Sequence, residues 1–174
     1  MGESAAPVPA PGSSARAQVP SQAENRLIAD WLAQAHPLPG RARREWSDAY
    51  VAMIPLGPRF DAVRVPARRV HTAVASEEPA TVAAALRDWL GGPVIRDLRS
   101  PAGAYYFLVT PGAQWDGPEE RLSTGTFLGV PRVGHIAYLM TWVVPPEHPG
   151  NLCDTAVLRT LLATADPLRT VGRP

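Results

Sequence analysis

The stretch that decides the fold reads VIRDLRSPAGAYYFLVT and occupies residues 94–110. Its two ends, Val94–Leu98 and Ala104–Thr110, are rich in the β-branched and aromatic residues that strands prefer. Between them stands Ser100-Pro101-Ala102-Gly103, a combination typical of a turn. The stretch therefore predicts two strands joined as an antiparallel hairpin. Further strands are predicted at Tyr50–Ile54, Phe60–Val65, Thr126–Val130 and Ile136–Val144.

The last of these strands, Ile136–Val144, differs from the others because both of its alternating sets of side chains are mostly apolar. One set holds Ile136, Tyr138, Met140 and Trp142, and the other holds Ala137, Leu139 and Val143. A strand that is apolar on both faces is usually covered on both sides. We therefore expect this strand to lie in the centre of the sheet.

Helices are predicted on either side of these strands. Ser21 and Glu24 have the spacing of a capping box, and apolar residues then recur at helical spacing up to His36-Pro37. Pro79–Leu90 has proline in its first turn and ends at Gly91-Gly92, as helices commonly do. Helices are also expected at Ala67–Val74 and Ala156–Ala163, whereas Arg41–Trp46 fits either a short helix or a basic loop.

This order of elements predicts an α+β fold with a mostly antiparallel central sheet and helices packed on it. Residues 1–20 are rich in proline, alanine and serine and are predicted to form a disordered arm. Residues 21–166 are expected to form a single domain, and 167–174 a short tail. The sequence contains no candidate membrane span and no signal peptide, so we expect a cytoplasmic protein that does not bind membranes.

Composition excludes several classes of chemistry. All seventeen basic residues are arginines, and sixteen acidic residues leave a net charge of +1, which argues against a generally basic nucleic-acid binder. Without lysine there is no phosphate-loop lysine, no Schiff base and no Ser–Lys nucleophile. A single cysteine, Cys153, excludes internal disulfides and thiolate-rich zinc sites, and we expect it to be a small buried or half-buried thiol.

No metal site is predicted from the spacing of the potential ligands. Two-metal nucleotidyl transfer needs carboxylates that converge, and the Asp-x-Asp pattern that supplies them from one strand is absent. Asp61 is the only carboxylate at the head of a predicted strand. It is either a solvated or arginine-paired residue or one remaining metal ligand. The four histidines are far apart, and we expect His71, beside Arg68 and Arg69, to be structural.

The arginines are the remaining candidates for binding. Each guanidinium can form two hydrogen bonds to an oxyanion, so arginines that fold side by side could hold phosphates, whereas scattered ones are solvated surface. The candidate phosphate-binding or nucleic-acid-binding residues are Arg64, Arg68, Arg69, Arg96 and Arg99, with a further group at Arg41, Arg43 and Arg44. The aromatic run Tyr105-Tyr106-Phe107 is either a stacking platform for bases or, as we favour, core packing.

Several short runs between Leu56 and Leu162 carry a family resemblance. They are LGPRFDAV at 56–63 with Pro66-Ala67, Gly92-Pro93-Val94, YFLVTPGA at 106–113, FLGVPR at 127–132 and WVVPP at 142–146. Together they resemble small actinobacterial proteins described as bifunctional DNA primase/polymerase-like. The resemblance implies the N-terminal prim-pol fold. Complete members of that superfamily carry a metal-binding carboxylate pair, a nucleotide-contacting histidine and a further carboxylate, and only Asp61 can be proposed as a counterpart here.

The resemblance therefore implies a catalytically degenerate copy, and three hypotheses follow. The first is a non-catalytic prim-pol-like binding or regulatory domain that has weak affinity for nucleotide or nucleic acid through its arginines and needs no cofactor. The second is a divergent nucleotidyltransferase that uses Mg²⁺ or Mn²⁺ held by Asp61 together with Asp97 or Asp116. The third is a protein-interaction module whose N-terminal arm binds a partner protein.

Overall fold

The computed structural model describes residues 19–167. Of the predicted N-terminal arm only Val19 and Pro20 fall within this range, and of the predicted tail only Pro167. The predictions made for 1–18 and 168–174 therefore lie outside the described residues. No helix between residues 19 and 167 combines the length and the apolar character needed to cross a membrane.

The described chain contains two antiparallel sheets. In chain order the strands are β1 Val51–Pro55, β2 Asp61–Pro66, β3 Val94–Asp97, β4 Ala104–Val109, β5 Glu120–Leu122, β6 Phe127–Pro131 and β7 Met140–Val144. Five of them form the main sheet in the order β5-β2-β4-β3-β7, and each neighbouring pair is antiparallel. Strands β1 and β6 form the second, two-stranded sheet.

Helices pack against these sheets, and the fold belongs to the predicted α+β class. They are α1 Gln22–Ala33, α2 Pro39–Ala49, α3 Ala67–Val74, α4 Pro79–Leu90 and α5 Thr155–Ala163. The capping box of α1 is confirmed, because the Ser21 amide donates to Glu24 Oε2 and the Glu24 amide donates to Ser21 Oγ. Of the two possibilities for Arg41–Trp46 the helix is confirmed, and its first residue is Pro39.

The predicted hairpin is confirmed and lies in the middle of the main sheet. Strands β3 and β4 pair from Val94 opposite Phe107 to Asp97 opposite Ala104, and all six residues of β4 are buried. Because successive side chains of a strand point to opposite faces, β4 supplies both halves of the core. Tyr105 and Phe107 face α3, α4 and α5, whereas Tyr106 faces α1, α2 and the two-stranded sheet.

The aromatic run at 105–107 is therefore core packing, as favoured, and has no free surface on which bases could stack. The main sheet is a middle layer that carries helices on one face, and helices together with the small sheet on the other.

The prediction for Ile136–Val144 was wrong in two respects. The strand begins only at Met140, and β7 lies at the edge of the main sheet, not at its centre. Ile136 and Tyr138 are 87% and 89% exposed. The turn around Gly134, which has a positive φ of 79°, separates these residues from β6. The segment then joins the sheet only at its end, where the Leu98 amide donates to the carbonyl of Leu139.

Candidate functional site

A polar groove of about 750 Å³ lies between α1, α2 and the residues that follow β6, and we call it the α1–α2 groove. Its charged lining consists of Arg26 and Asp30 from α1, Arg43 from α2 and Arg132 from the segment after β6. Asn25 and His135 add polar groups to the lining. Three guanidinium groups therefore surround a single carboxylate.

The two helices are joined across the groove by an ion pair between Arg43 Nη2 and Asp30 Oδ1, at 2.9 Å. This contact uses the only carboxylate of the lining. Arg26 and Arg132 form no ion pair with any carboxylate in residues 19–167. The groove therefore has an excess of positive charge, in a protein whose total charge is close to zero.

The core below the groove fixes the position of α2. Trp46 is buried, and its indole Nε1 donates to the carbonyl of Val130 on β6 at 2.9 Å. The Arg132 amide donates to the carbonyl of Tyr50, the residue that ends α2, at 2.8 Å. Because these two bonds tie α2 to β6, they hold Arg43 and Arg132 on rigid elements that face the same space.

The turn after β6 closes one side of the groove. Gly134 has a positive φ of 79°, which favours glycine, and a Cβ there would lie 2.8 Å from Asn25 Nδ2, so this turn is in contact with the Asn25 side chain of α1. The His135 ring lies 5.8 Å from the ring of Tyr50, measured between centroids. Tyr50 is half exposed. The groove thus has a basic interior, and one of its lining residues, His135, lies beside the ring of Tyr50.

Arginines in such a groove can bind an anion with several oxygens, because each guanidinium donates two parallel hydrogen bonds to phosphate or carboxylate. A volume of this size is within the range of small-molecule sites. The chemistry that the groove supports is therefore binding of an anionic ligand.

None of the five arginines predicted as phosphate ligands lines this groove, and the structure does not bring the five together. Arg64 stands opposite Tyr106 in the register of β2 and β4, on the face toward α1 and α2. Arg96 lies on the other face, with its Cζ 5.2 Å from the centroid of the Tyr105 ring. Arg68 and Arg69 belong to α3, which covers that second face.

Two of these arginines are already neutralised by carboxylates. Arg99 forms a bidentate ion pair with Asp97, in which Nη2 and Oδ2 are 2.8 Å apart, and this pair lowers the pKa of Asp97. Arg69 contacts Glu119 and also Asp166. Whether Arg64, Arg68 or Arg96 binds phosphate stays a prediction.

Asp61 is arginine-paired, which confirms one of its two interpretations, but it is fully buried rather than solvated. Its Oδ2 accepts from Arg121 Nη1 at 2.6 Å and from the Gly112 amide at 2.9 Å, and its Oδ1 accepts from Ser123 Oγ at 2.8 Å. Both carboxylate oxygens are therefore engaged by donors within the protein.

The carboxylates proposed to act with Asp61 do not converge on it. Asp61 shares its face of the sheet with Val63, whereas Asp97 shares the opposite face with Ile95. Asp116 pairs with Arg159 at 3.7 Å. Within residues 19–167 no three histidine, cysteine, aspartate or glutamate side chains are grouped closely enough to hold a metal ion.

Two other candidate residues have structural partners. His71 Nε2 lies 2.9 Å from the Tyr105 hydroxyl, and burial followed by the charge of Arg96 lowers the pKa of His71. Cys153 is buried, as predicted, and burial raises the pKa of its thiol to about 12.

Comparison with known proteins identified no relative: no family model, no curated protein and no solved structure matches this chain.

Sequence reasoning missed most of the groove. The sequence shows Arg43 as part of a basic group. Arg26 and Arg132, in contrast, are isolated arginines that lie 106 positions apart in the chain. Only the packing of α1 and α2 beside the end of β6 brings them together. The sequence signal nearest to this packing is Gly134, since glycine allows the turn with positive φ that closes the groove.

Proposed function

We propose that this chain is a non-catalytic binding or regulatory domain of the prim-pol-like type that its sequence resembles. In this proposal it binds a phosphate-bearing ligand, a nucleotide or a nucleic acid, in the α1–α2 groove. The observation that carries the proposal is the charge of the groove: Arg26, Arg43 and Arg132 surround Asp30, which is already paired with Arg43.

The uncompensated arginines favour an anionic ligand for an energetic reason. Arg26 and Arg132 would each lose hydration on binding and would regain charge-assisted hydrogen bonds only from an anion. A phosphate can accept from both guanidiniums at once because it has several unprotonated oxygens. The ring of His135, which lines the groove, and the neighbouring ring of Tyr50 would suit the base of a nucleotide, since base–aromatic stacking tolerates any base.

The non-catalytic part of the proposal is supported by the ion pairs of the acidic residues, which lie apart from one another. Asp61, Asp97 and Asp116 each pair with a different arginine, and Asp61 and Asp97 point to opposite faces of the main sheet. Two cations held about 4 Å apart need carboxylates that point at one place. A partner protein that binds through the N-terminal arm stays a separate prediction.

The test is the binding of a fluorescein-labelled single-stranded oligonucleotide, with ATP as competitor, measured by anisotropy over a salt series. Each phosphate contact contributes about 0.7 to the slope of log K against log salt for single strands. We expect a slope of at least about 1.4 in magnitude, from Arg26 and Arg132, and the loss of about 0.7 in Arg26→Gln or Arg132→Gln.

Arg44→Gln is the matched control, because Arg44 is an exposed residue of α2 that does not line the groove. This variant removes the same charge and should leave the slope unchanged. The proposal fails if the wild-type protein shows no salt-dependent binding, or if Arg44→Gln weakens binding as much as Arg26→Gln does.

A further inference from the structure

A second group of polar side chains lies on the other face of the main sheet, and we call it the Arg96 cluster. It consists of Arg96 from β3, Tyr105 from β4 and His71 from α3. The guanidinium of Arg96 lies over the Tyr105 ring, and the Tyr105 hydroxyl is 2.9 Å from His71 Nε2. The imidazole meets the phenol ring edge-on, at 5.6 Å between centroids.

The charge of Arg96 is not balanced within the described chain. Arg69, Arg99 and Arg121 each pair with a carboxylate, but Arg96 forms no ion pair in residues 19–167. Its Nε is buried and has no hydrogen-bond partner among these residues. A buried donor of a charged group without a partner costs free energy, and stacking on Tyr105 compensates only part of that cost.

The positive charge of Arg96 also acts on the imidazole of His71, its neighbour in the cluster. Burial lowers the pKa of His71 and the charge of Arg96 lowers it further, so both disfavour a protonated imidazole beside Arg96. Opposing this, the charge of Glu77, an exposed residue after α3, raises that pKa. A cation with a free donor, next to a tyrosine hydroxyl and a histidine, is complemented by an oxyanion.

We propose that the Arg96 cluster is a binding site for a small oxyanion, either free phosphate or the phosphate or carboxylate end of a metabolite. The terminal nitrogens of the Arg96 guanidinium and the Tyr105 hydroxyl would donate to the anion. This site is separate from the α1–α2 groove, because Arg96 lies with Tyr105 on the face toward α3, α4 and α5, whereas α1 and α2 cover the opposite face. The proposal therefore does not depend on the proposed function.

The test is a titration of the full chain with inorganic phosphate, followed by NMR of the histidine rings in a non-phosphate buffer. We expect a saturable shift of the His71 ring resonances with a Kd in the millimolar range or tighter. His36 and His148 should not follow the same curve, whereas a response of His135 reports on the α1–α2 groove, which His135 lines. A parallel titration with acetate distinguishes the sources, since a carboxylate ligand predicts saturation by acetate and a phosphate ligand does not.

Arg96→Met should abolish the His71 response, because methionine fills the space over Tyr105 without a donor. Arg99→Met is the matched control: Arg99 lies three positions along the chain from Arg96, and its partner Asp97 is on the opposite face. If Arg96→Met does not fold, Tyr105→Phe keeps the ring under Arg96 and removes only the hydroxyl, and it should weaken phosphate binding several-fold. A response that does not saturate, or one that Arg96→Met and Tyr105→Phe both retain, overturns the proposal.

Discussion

The carboxylate of Asp61 is fully buried at the start of β2, and its two oxygens accept hydrogen bonds from Arg121, Ser123 and the Gly112 amide. Arg121 belongs to β5, Ser123 follows that strand and Gly112 precedes it, so Asp61 fixes the edge of the main sheet to β2. A charge in such a position is stabilising only while its partners remain, because an unpaired buried charge is costly.

We therefore expect Asp61→Asn to lower the free energy of unfolding by about 3 kcal/mol, since it leaves Arg121 without its anion. Urea denaturation followed by circular dichroism measures this loss. Asp116→Asn is the control: the side chain is 85% exposed and its pair with Arg159 is long, so we expect a change of less than about 0.5 kcal/mol. If Asp61→Asn kept full stability but lost Mn²⁺-dependent nucleotide incorporation, the nucleotidyltransferase hypothesis would be favoured instead.

The kind of environment around Asp61 was predictable, but its partners were not. An acidic residue at the head of an apolar strand either stays in water or needs a cation, so an arginine pair was among the expectations. Which arginine it binds depends on the pairing of β2 with β5, and Arg121 is 60 positions along the chain. The α1–α2 groove could not be predicted for the same reason, because its arginines come together only through tertiary packing.

Among the elements, β4 was predictable because its composition indicates a strand and the turn before it indicates an antiparallel hairpin. Strand β7 was not, because an apolar pattern on both faces indicates coverage but does not say where a strand lies in the sheet. Met140 and Val144 are indeed buried, yet β7 is at the edge. Strand β5 was missed altogether: its three residues, Glu120–Leu122, are too few and too polar to show a pattern.

The end of α4 gives a prediction at this scale, because its two glycines have different roles. Gly91 is the left-handed C-cap with a φ of 57°, and a Cβ there would meet no atom within 4 Å. Gly92 is packed against another segment: a Cβ there would lie 2.5 Å from the Cys153 amide nitrogen and 2.7 Å from the carbonyl carbon of Leu152. That segment cannot move away easily, since the Cys153 amide donates to the carbonyl of Leu108 in β4.

Gly91→Ala should lower the free energy of unfolding by about 1 kcal/mol, the cost of a left-handed alanine. Gly92→Ala should cost about 3 kcal/mol, because its methyl group meets backbone atoms that are held by the sheet. The two variants control for each other, since both add one methyl group at adjacent positions. Equal midpoints in urea for Gly91→Ala and Gly92→Ala would contradict the close approach of residues 152–153 to the start of β3.

At the scale of the whole molecule, several titratable groups have a lower pKa in the folded protein than in the unfolded chain, and this makes the stability depend on pH. His71 is shifted down by burial and by Arg96, Glu45 by the hydrogen bond from the Met53 amide, and Asp97 by its pair with Arg99. A group whose pKa is lower in the folded state binds fewer protons there than in the unfolded chain. Its contribution to stability is therefore present above the unfolded pKa and is lost as the pH falls.

We expect the free energy of unfolding to fall in two stages on acidification. The first begins below the ordinary histidine pKa of 6.5 and belongs to His71, and the second begins below about 4.5, where the carboxylates protonate. Urea midpoints between pH 3 and pH 8, in buffers without phosphate, measure both stages. His71→Gln can still hydrogen-bond Tyr105 but cannot titrate, so it should remove the first stage and leave the second unchanged. A wild-type stability that stays constant from pH 7 down to about pH 5 would show that His71 gains no proton on unfolding, in contradiction to its partly buried position beside Arg96.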